Sequence, residues 1–333
     1  MSYLYVNENG AVIGVEGNQC TVKYKDGMKR LIPIESLEGI TIMGSSQVTT
    51  ACTEECLKRG ISLSYFSKGG TYFGRLHSTG HVNTERQRKQ CQLYDSQFAL
   101  ELARKIISAK LKNQSVVLRR YEKSRGLELR EEQKMLNICR AKLSRCTTVP
   151  EIIGYEGQGA KYYFAGLSKC VEEEFVFSGR SKRPPKDEFN SMLSLGYSIL
   201  LNEVYSKIEM KGLNPYFGFI HRDAEKHPTL ASDMMEEWRS VIVDATVMSL
   251  VNGHEIHKDD FMFPTDRPGC YLTKDGLKIF LKKLERKFQT EVRYLPYTEY
   301  AVSFRRGIFL QMEQLCKAIE TGDVSLYEPV QIR

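Results

Sequence analysis

Three short segments, spread over about eighty residues, carry the side chains most able to do chemistry. They are Gly154-Tyr155-Glu156-Gly157, Gly218-Phe219-Ile220-His221 and Asp233-Met234-Met235-Glu236-Glu237-Trp238-Arg239. One carboxylate, one imidazole and a second carboxylate can together hold a divalent metal and still leave coordination positions open, the usual equipment for phosphodiester chemistry. Placed on a helix, Asp233, Glu236, Glu237, Ser240 and Asp244 form one polar stripe at i, i+3, i+4, i+7 and i+11, with Met234, Trp238, Val241, Ile242, Ala245 and Met248 opposite. Two methionines, the only Trp and Pro228 crowd these acids with apolar surface, which argues against a freely solvated row. His221 follows an apolar run that brings it out of a wall. Glu156 sits between Gly154 and Gly157, where backbone could approach a phosphate or another chain closely. Each element alone has a plain alternative: a solvated amphipathic helix, a structural histidine, a glutamate in a glycine turn. The occurrence of all three in this order is what points to a metal.

The elements that must position these residues fall into two classes. At 333 residues the chain exceeds the usual single-core size, so two domains are expected. Ala11–Val15, Cys20–Lys25, Arg30–Ile34, Gly39–Met43, Ile61–Phe66 and Tyr72–Leu76 are short β-branched or aromatic runs. Asn9-Gly10, Gly17-Asn18 and Asp26-Gly27 supply hairpin chemistry between the first of them. Thr49 to Arg59 reads as one short helix ended by Gly60. The period then lengthens: Phe98 to Arg125 has helical spacing with Leu102, Ile106, Leu111 and Val117 inward. Ser178 to Asp187 is a basic loop broken by two prolines, Phe189 to Met210 a long buried helix, His254 to Pro268 irregular and Tyr327 to Arg333 a tail. The expectation is an α+β protein, with a small β-sandwich-like domain at 1–85 followed by a larger all-α domain at 86–333 that holds the site.

Composition narrows the function classes. Net charge is +7, and the stretch from Thr84 to Cys146 holds 16 Lys/Arg against 7 Asp/Glu, more than the whole excess. Such local charge suits a polyanion, although a pair of solvated helix faces would look the same. The nine cysteines are odd in number and show no C-x-x-C spacing, so neither a zinc ribbon nor a disulfide framework is supported. The N-terminus lacks a signal-peptide layout, and no apolar run is long enough to span a membrane. A soluble, cytoplasmic protein is expected.

A resemblance extends this reading. Glu156-Gly157 with Ala160 and Tyr163, then Arg183-Pro184-Pro185 with Asp187, Asn190 and Leu193-Ser194-Leu195-Gly196-Tyr197, then Gly218 to His221 and Leu230 to Arg239, ending at Asp244, closely resemble the CRISPR-associated endonuclease/integrase of spacer acquisition, known as CRISPR-associated protein one. The likeness runs over essentially the whole chain. Trp238 stands where many members have Phe.

The resemblance implies Glu156, His221 and Glu236 as ligands of Mg2+ or Mn2+, and Asp233 as a supporting acid. It implies a homodimer formed through the β domains. It also implies a heterohexamer with a small second CRISPR-associated protein, acting on double-stranded protospacer and repeat DNA with no membrane. A 3′-hydroxyl would attack a phosphodiester at the edge of a CRISPR repeat; with water as nucleophile the same site would be an endonuclease. Arg86, Arg88, Lys110, Lys112, Arg119, Arg120, Arg180, Lys182 and Arg183 are then candidate phosphate contacts. Two rivals stand beside this. Arg222 and His227 match the R-x4-H spacing of metal-independent HEPN ribonucleases, which would work in EDTA. A non-catalytic DNA scaffold would bind DNA without strand transfer.

Overall fold

The computed structural model describes residues 2–293, 295 and 297–332, so Arg333 of the expected tail lies outside the described residues. The chain divides into two compact units, Met1–Val82 and Asn83–Arg333.

Unit 1 is built from two four-stranded sheets. The first contains β2 (Val12–Glu16), β3 (Gln19–Lys23), β4 (Lys29–Pro33) and β6 (Gln47–Val48) in the order β4-β3-β2-β6. The second contains β1 (Ser2–Val6), β5 (Leu37–Met43), β7 (Ser62–Phe66) and β8 (Tyr72–Leu76) in the order β1-β5-β7-β8. Gly17 and Gly27, at φ of 59° and 85°, make the two hairpin turns of the first sheet, where a left-handed backbone favours glycine. β5 is flanked in parallel by β1 and β7 and is buried along almost its whole length, as a central parallel strand should be. Helix α1 (Thr50–Arg59) starts where the Thr49 side chain accepts from the Cys52 amide and ends at Gly60 in the left-handed region. Cys20, Cys52 and Cys56 lie in the core of this unit with Ile13, Ile40, Ile42 and Leu63, as small apolar side chains do. Strands β1 and β6 were not marked by the sequence pattern, although Asn9-Gly10 lies between β1 and β2.

Unit 2 is mainly helical. Its helices are α2 (Thr84–Gln92), α3 (Gln97–Arg125), α4 (Arg130–Lys142), α5 (Val149–Lys169), α6 (Glu188–Met210), α7 (Thr229–Met235), α8 (Ala245–Asn252), α9 (Lys274–Phe288) and α10 (Phe304–Thr321). Two short ribbons, β9 (Phe261–Met262) with β10 (Tyr271–Leu272) and β11 (Glu291–Val292) with β12 (Val302–Ser303), add β structure that helical periodicity did not predict. Side-chain caps at Ser96, Thr148, Asp187, Thr273 and Ser303 satisfy first-turn amides and fix where these helices begin. Helices α3, α4 and α5 pack on one another, and α6 packs on α7. Leu102, Ile106, Leu111 and Val117 of α3 are all buried. Among the described residues no helix is long and apolar enough to cross a membrane.

Two local expectations are corrected. Glu156 lies in the interior of α5 and not in a glycine turn, and Gly154 and Gly157 face open space. The glycine that matters is Gly159, where any side chain would collide with Leu111, so α5 can approach α3 closely. The acids of 233–244 do not form one stripe. After α7 the amides of Glu236 and Trp238 bond back only three residues, to Asp233 and Met235, and Arg239–Asp244 then widens into a π-helical turn. Tightening followed by widening rotates successive side chains away from α-helical positions, a local irregularity frequent at functional sites. Asp233, Glu236, Glu237 and Asp244 are all buried and point to different partners.

Candidate functional site

The loop ending in His221 is held by a single buried acid. Asp233 on α7 accepts from the amides of Phe219 and Ile220 at 2.6 and 2.9 Å, and from that of His221 at 3.1 Å. A side chain on Gly218 would meet Asp233 and Thr229, so glycine there lets the loop close on the acid. The same carboxylate lies 2.6 Å from His221 Nδ1. That contact fixes the ring and leaves Nε2 as the outward nitrogen, 3.9 Å from Glu236 Oε1. Burial disfavours the charged imidazole, but Asp233 and then Glu236 outweigh it and raise the pKa.

Glu236 is almost fully buried among cations. Its Oε1 lies 3.0 Å from Arg239 Nη1, and its Oε2 lies 2.6 Å from the Lys110 ammonium. Lys110 also pairs with Glu156 Oε1 across the α3–α5 contact. Burial works against the Glu236 charge, yet Arg239, Lys110 and His221 prevail and hold its carboxyl low, at about 2. Lys110 meets Glu236 Oε2 as an ion pair but not along a hydrogen-bonding direction, so this buried oxygen has no directed donor.

Behind Glu236 lies a second network. Asp244 accepts from the Tyr163 and Tyr197 hydroxyls at 2.8 and 2.6 Å, and burial raises its pKa to about 6. The guanidiniums of Arg180 and Arg239 lie 5.2 and 5.3 Å from the Tyr197 ring centre, within cation–π range. Arg180 is held there by Asn190 and Ser194, and Asn190 is itself fixed by the α6 cap Asp187. The Arg-Pro-Pro-x-Asp-x-x-Asn sequence thus serves to anchor a loop that places Arg180. Lys110, Glu156, Arg180, Lys182, Tyr197 and Arg239 line one cleft of about 1020 Å³. Phe164, Val176, Phe177 and Leu201 give the same cleft an apolar wall.

The structure therefore links the four residues in a chain of contacts, Asp233 to His221, His221 to Glu236, and Glu236 through Lys110 to Glu156. Among the described residues no three His, Cys, Asp or Glu side chains are gathered as a metal-ligand group as they stand. The donor chemistry nevertheless fits a hard divalent ion: two carboxylates already share one cation, one of their oxygens lacks a directed donor, and an imidazole nitrogen lies 3.9 Å from Glu236.

The candidate phosphate contacts separate. Lys182 and Arg183 are exposed at the cleft, and Arg88 and Arg119 are exposed on helices. Arg120 is exposed and Lys112 half-buried on α3. Arg86 is committed to Glu320 and the Lys211 carbonyl. Lys110 is no surface contact at all, since its ammonium is turned inward to the two glutamates. Arg222 is exposed on the 221–228 loop, and His227 is bonded through Nε2 to Ser232 at 2.9 Å. Sequence reasoning missed Lys110 and Arg239 as members of the site. Arg239 was legible as the i+3 partner of Glu236, whereas no local signal sets Lys110 apart, with Asn113 and Gln114 on the turn after it.

The family model described as CRISPR associated protein Cas1 matches residues 4–286. The CRISPR-associated endonuclease Cas1 of Mycobacterium tuberculosis (strain ATCC 25618 / H37Rv) is 33% identical over 326 residues, covering 98% of this chain and 96% of the relative. Among solved structures, a casposase bound to integration product matches with a TM-score of 0.87 at 24% identity, covering 99% of this chain and 93% of that one. A chain of a Cas6-RT-Cas1--Cas2 complex matches with a TM-score of 0.85 at 24% identity, and this chain spans all of its own length but 36% of that longer one. These two structures speak to the fold, whereas the family model and the mycobacterial relative speak to descent. With nearly its full length matched on both counts, the chain belongs to the CRISPR-associated protein Cas1 family.

Proposed function

We propose that this protein is a divalent-metal-dependent DNA endonuclease and integrase, which joins the 3′-hydroxyl of captured duplex DNA to a phosphodiester at the edge of a CRISPR repeat. The observation that carries this reading is the convergence of Glu156 and Glu236 on one cation, with His221 turned toward them by Asp233, beside a basic cleft. Glu156, Glu236 and His221 are the residues that would hold Mg2+ or Mn2+, which when bound supplies neutralisation of charge developing on the attacked phosphate. Asp233 keeps the His221 ring oriented and its Nε2 outward. Arg239 keeps the Glu236 carboxylate ionised and fixed in direction. Arg180, Lys182 and Arg183 receive the phosphates of the strand, and Phe164 and Phe177 give one side of the cleft an apolar wall. The β unit forms the homodimer; Met28, Leu31 and Phe73 stand exposed on it, apolar surface of the kind that such contacts cover. The small second CRISPR-associated protein bridges two such dimers.

The test is strand transfer of a short 3′-hydroxyl duplex into a repeat-bearing plasmid, with Mn2+ and with EDTA, for the wild type and Glu156→Ala. Metal-dependent joining that disappears in the variant is the expected result. Cleavage that persists in EDTA would shift the chemistry to Arg222 and His227, and binding without any joining would leave a DNA scaffold.

A further inference from the structure

Lys110 has a role that donor chemistry alone does not assign. It lies on α3 in a row with Ile106, Ile107 and Leu111, and only 4% of it is exposed. Burying an ammonium is costly unless it is well paired. Here the pairing is double, to Glu156 and to Glu236 at 2.6 Å. The need is mutual, because two carboxylates brought to one point repel unless a positive charge stands between them. Arg239 holds the other oxygen of Glu236 and leaves Oε2 to Lys110.

We propose that Lys110 is the resident counter-ion of this acidic pair, standing between Glu156 and Glu236 when no divalent ion is bound and giving way when one binds. The inference rests on the metal reading above and deepens it: a divalent ion drawn to the carboxylate oxygens that face Lys110 meets its ammonium there, so lysine and metal compete for the same oxygens. Two consequences follow for the chain itself. The apo site is kept folded by its own cation, and the affinity for metal is lowered by the work of displacing it.

The test is calorimetric titration of the full chain with Mn2+, for the wild type, Lys110→Met, Lys110→Arg and Glu236→Ala, with melting curves in EDTA and in Mn2+. Lys110→Met should bind Mn2+ about tenfold more tightly than the wild type. It should melt lower in EDTA and gain more from Mn2+, while Lys110→Arg stays near the wild type. Wild-type binding that is lost in Glu236→Ala but unchanged or weakened in Lys110→Met would overturn the counter-ion role and leave the metal reading intact. No Mn2+ binding by any of these chains would overturn both. If Lys110→Met does not fold, the wild type with isotope-labelled lysines is titrated with Mg2+, using Lys110→Arg to assign the ammonium signal. Movement of that signal on binding supports displacement, and a stationary signal while Mg2+ binds overturns it.

Discussion

Glu236 and Glu237 are adjacent in the chain and equally withdrawn from solvent, but they are opposite in charge behaviour. Glu236 faces Arg239, Lys110 and His221, and its carboxyl is held at about 2 against burial. Glu237 faces neutral donors: the Val330 amide at 2.6 Å, the Tyr327 hydroxyl at 2.7 Å and the Gln311 amide at 3.0 Å. There burial prevails over the three donors and pushes the pKa up to about 8. Depth is the same in both places, so depth does not decide which carboxylate stays ionised. The formal charge of the partners does. The backbone irregularity at 236–244 makes the contrast possible, by turning one acid toward Lys110, Arg239 and His221 and its neighbour into the packing of the C-terminal segment.

The widest separation between the two acids is expected in activity. Glu236→Gln keeps volume but removes the charge shared by Lys110 and Arg239, and should lower strand transfer by about 10³-fold. Melting temperature should also fall, because Arg239 loses its ionised partner even though Lys110 retains Glu156, so transfer is compared per folded molecule. Near wild-type transfer in this variant would remove Glu236 from the chemistry. Asp233→Asn tests the support beneath the cleft. It loses the oriented His221 ring, and a decrease of about 10–100-fold is expected. Activity equal to wild type would mean that the ring is fixed by packing alone.

Glu237 should give the reverse pattern. Its side chain ties α10 and the C-terminal segment together through Gln311, Tyr327 and Val330, while Asn113 of α3 holds the Ile332 amide and the Val330 carbonyl. Tyr327→Phe removes one donor from this buried network and should cost about 1–3 kcal/mol in denaturant unfolding. Strand transfer per folded molecule should stay the same. A loss of activity larger than the loss of folded protein would show that this network also sets the position of Glu236.

Much of this was legible in the residues, and the failures have physical reasons. The hairpins of unit 1 were marked by Gly17 and Gly27 because a left-handed turn has few chemical solutions. Helix α3 was marked by Leu102, Ile106 and Val117 because twenty-nine residues give a period room to show. The irregular run after Met235 was not marked, since an α-helical wheel assumes a constant turn angle that 236–244 does not keep. Gly154 and Gly157 suggested a turn around Glu156, but helix α5 continues through them under the Thr148 cap and the packing at Gly159. Lys110 was counted with the surface cations by its type; only the tertiary approach of α5 and of the end of α7 gives it carboxylates to face.

The smallest expected effect is a pH slope, and it also rests on the contrast between the two acids. Between the ordinary carboxylate range and about 8, the folded chain holds a proton at Glu237 that the unfolded chain has released. Stability should therefore fall as pH rises through that window, by at most about 1.4 kcal/mol for each pH unit from this one group. Glu236 contributes with the other sign and elsewhere: its folded form stays ionised down to about 2, so its share is lost only as pH falls below the ordinary carboxylate range. Unfolding by urea at pH 5, 6, 7 and 8 should show the decline in the wild type and a flatter profile in Glu237→Gln, which has no proton to release. Glu236→Gln should keep the wild-type decline over the same range. Equal slopes in the wild type and Glu237→Gln would mean that Glu237 is ionised in the folded protein, and that its three neutral donors suffice to hold a buried charge.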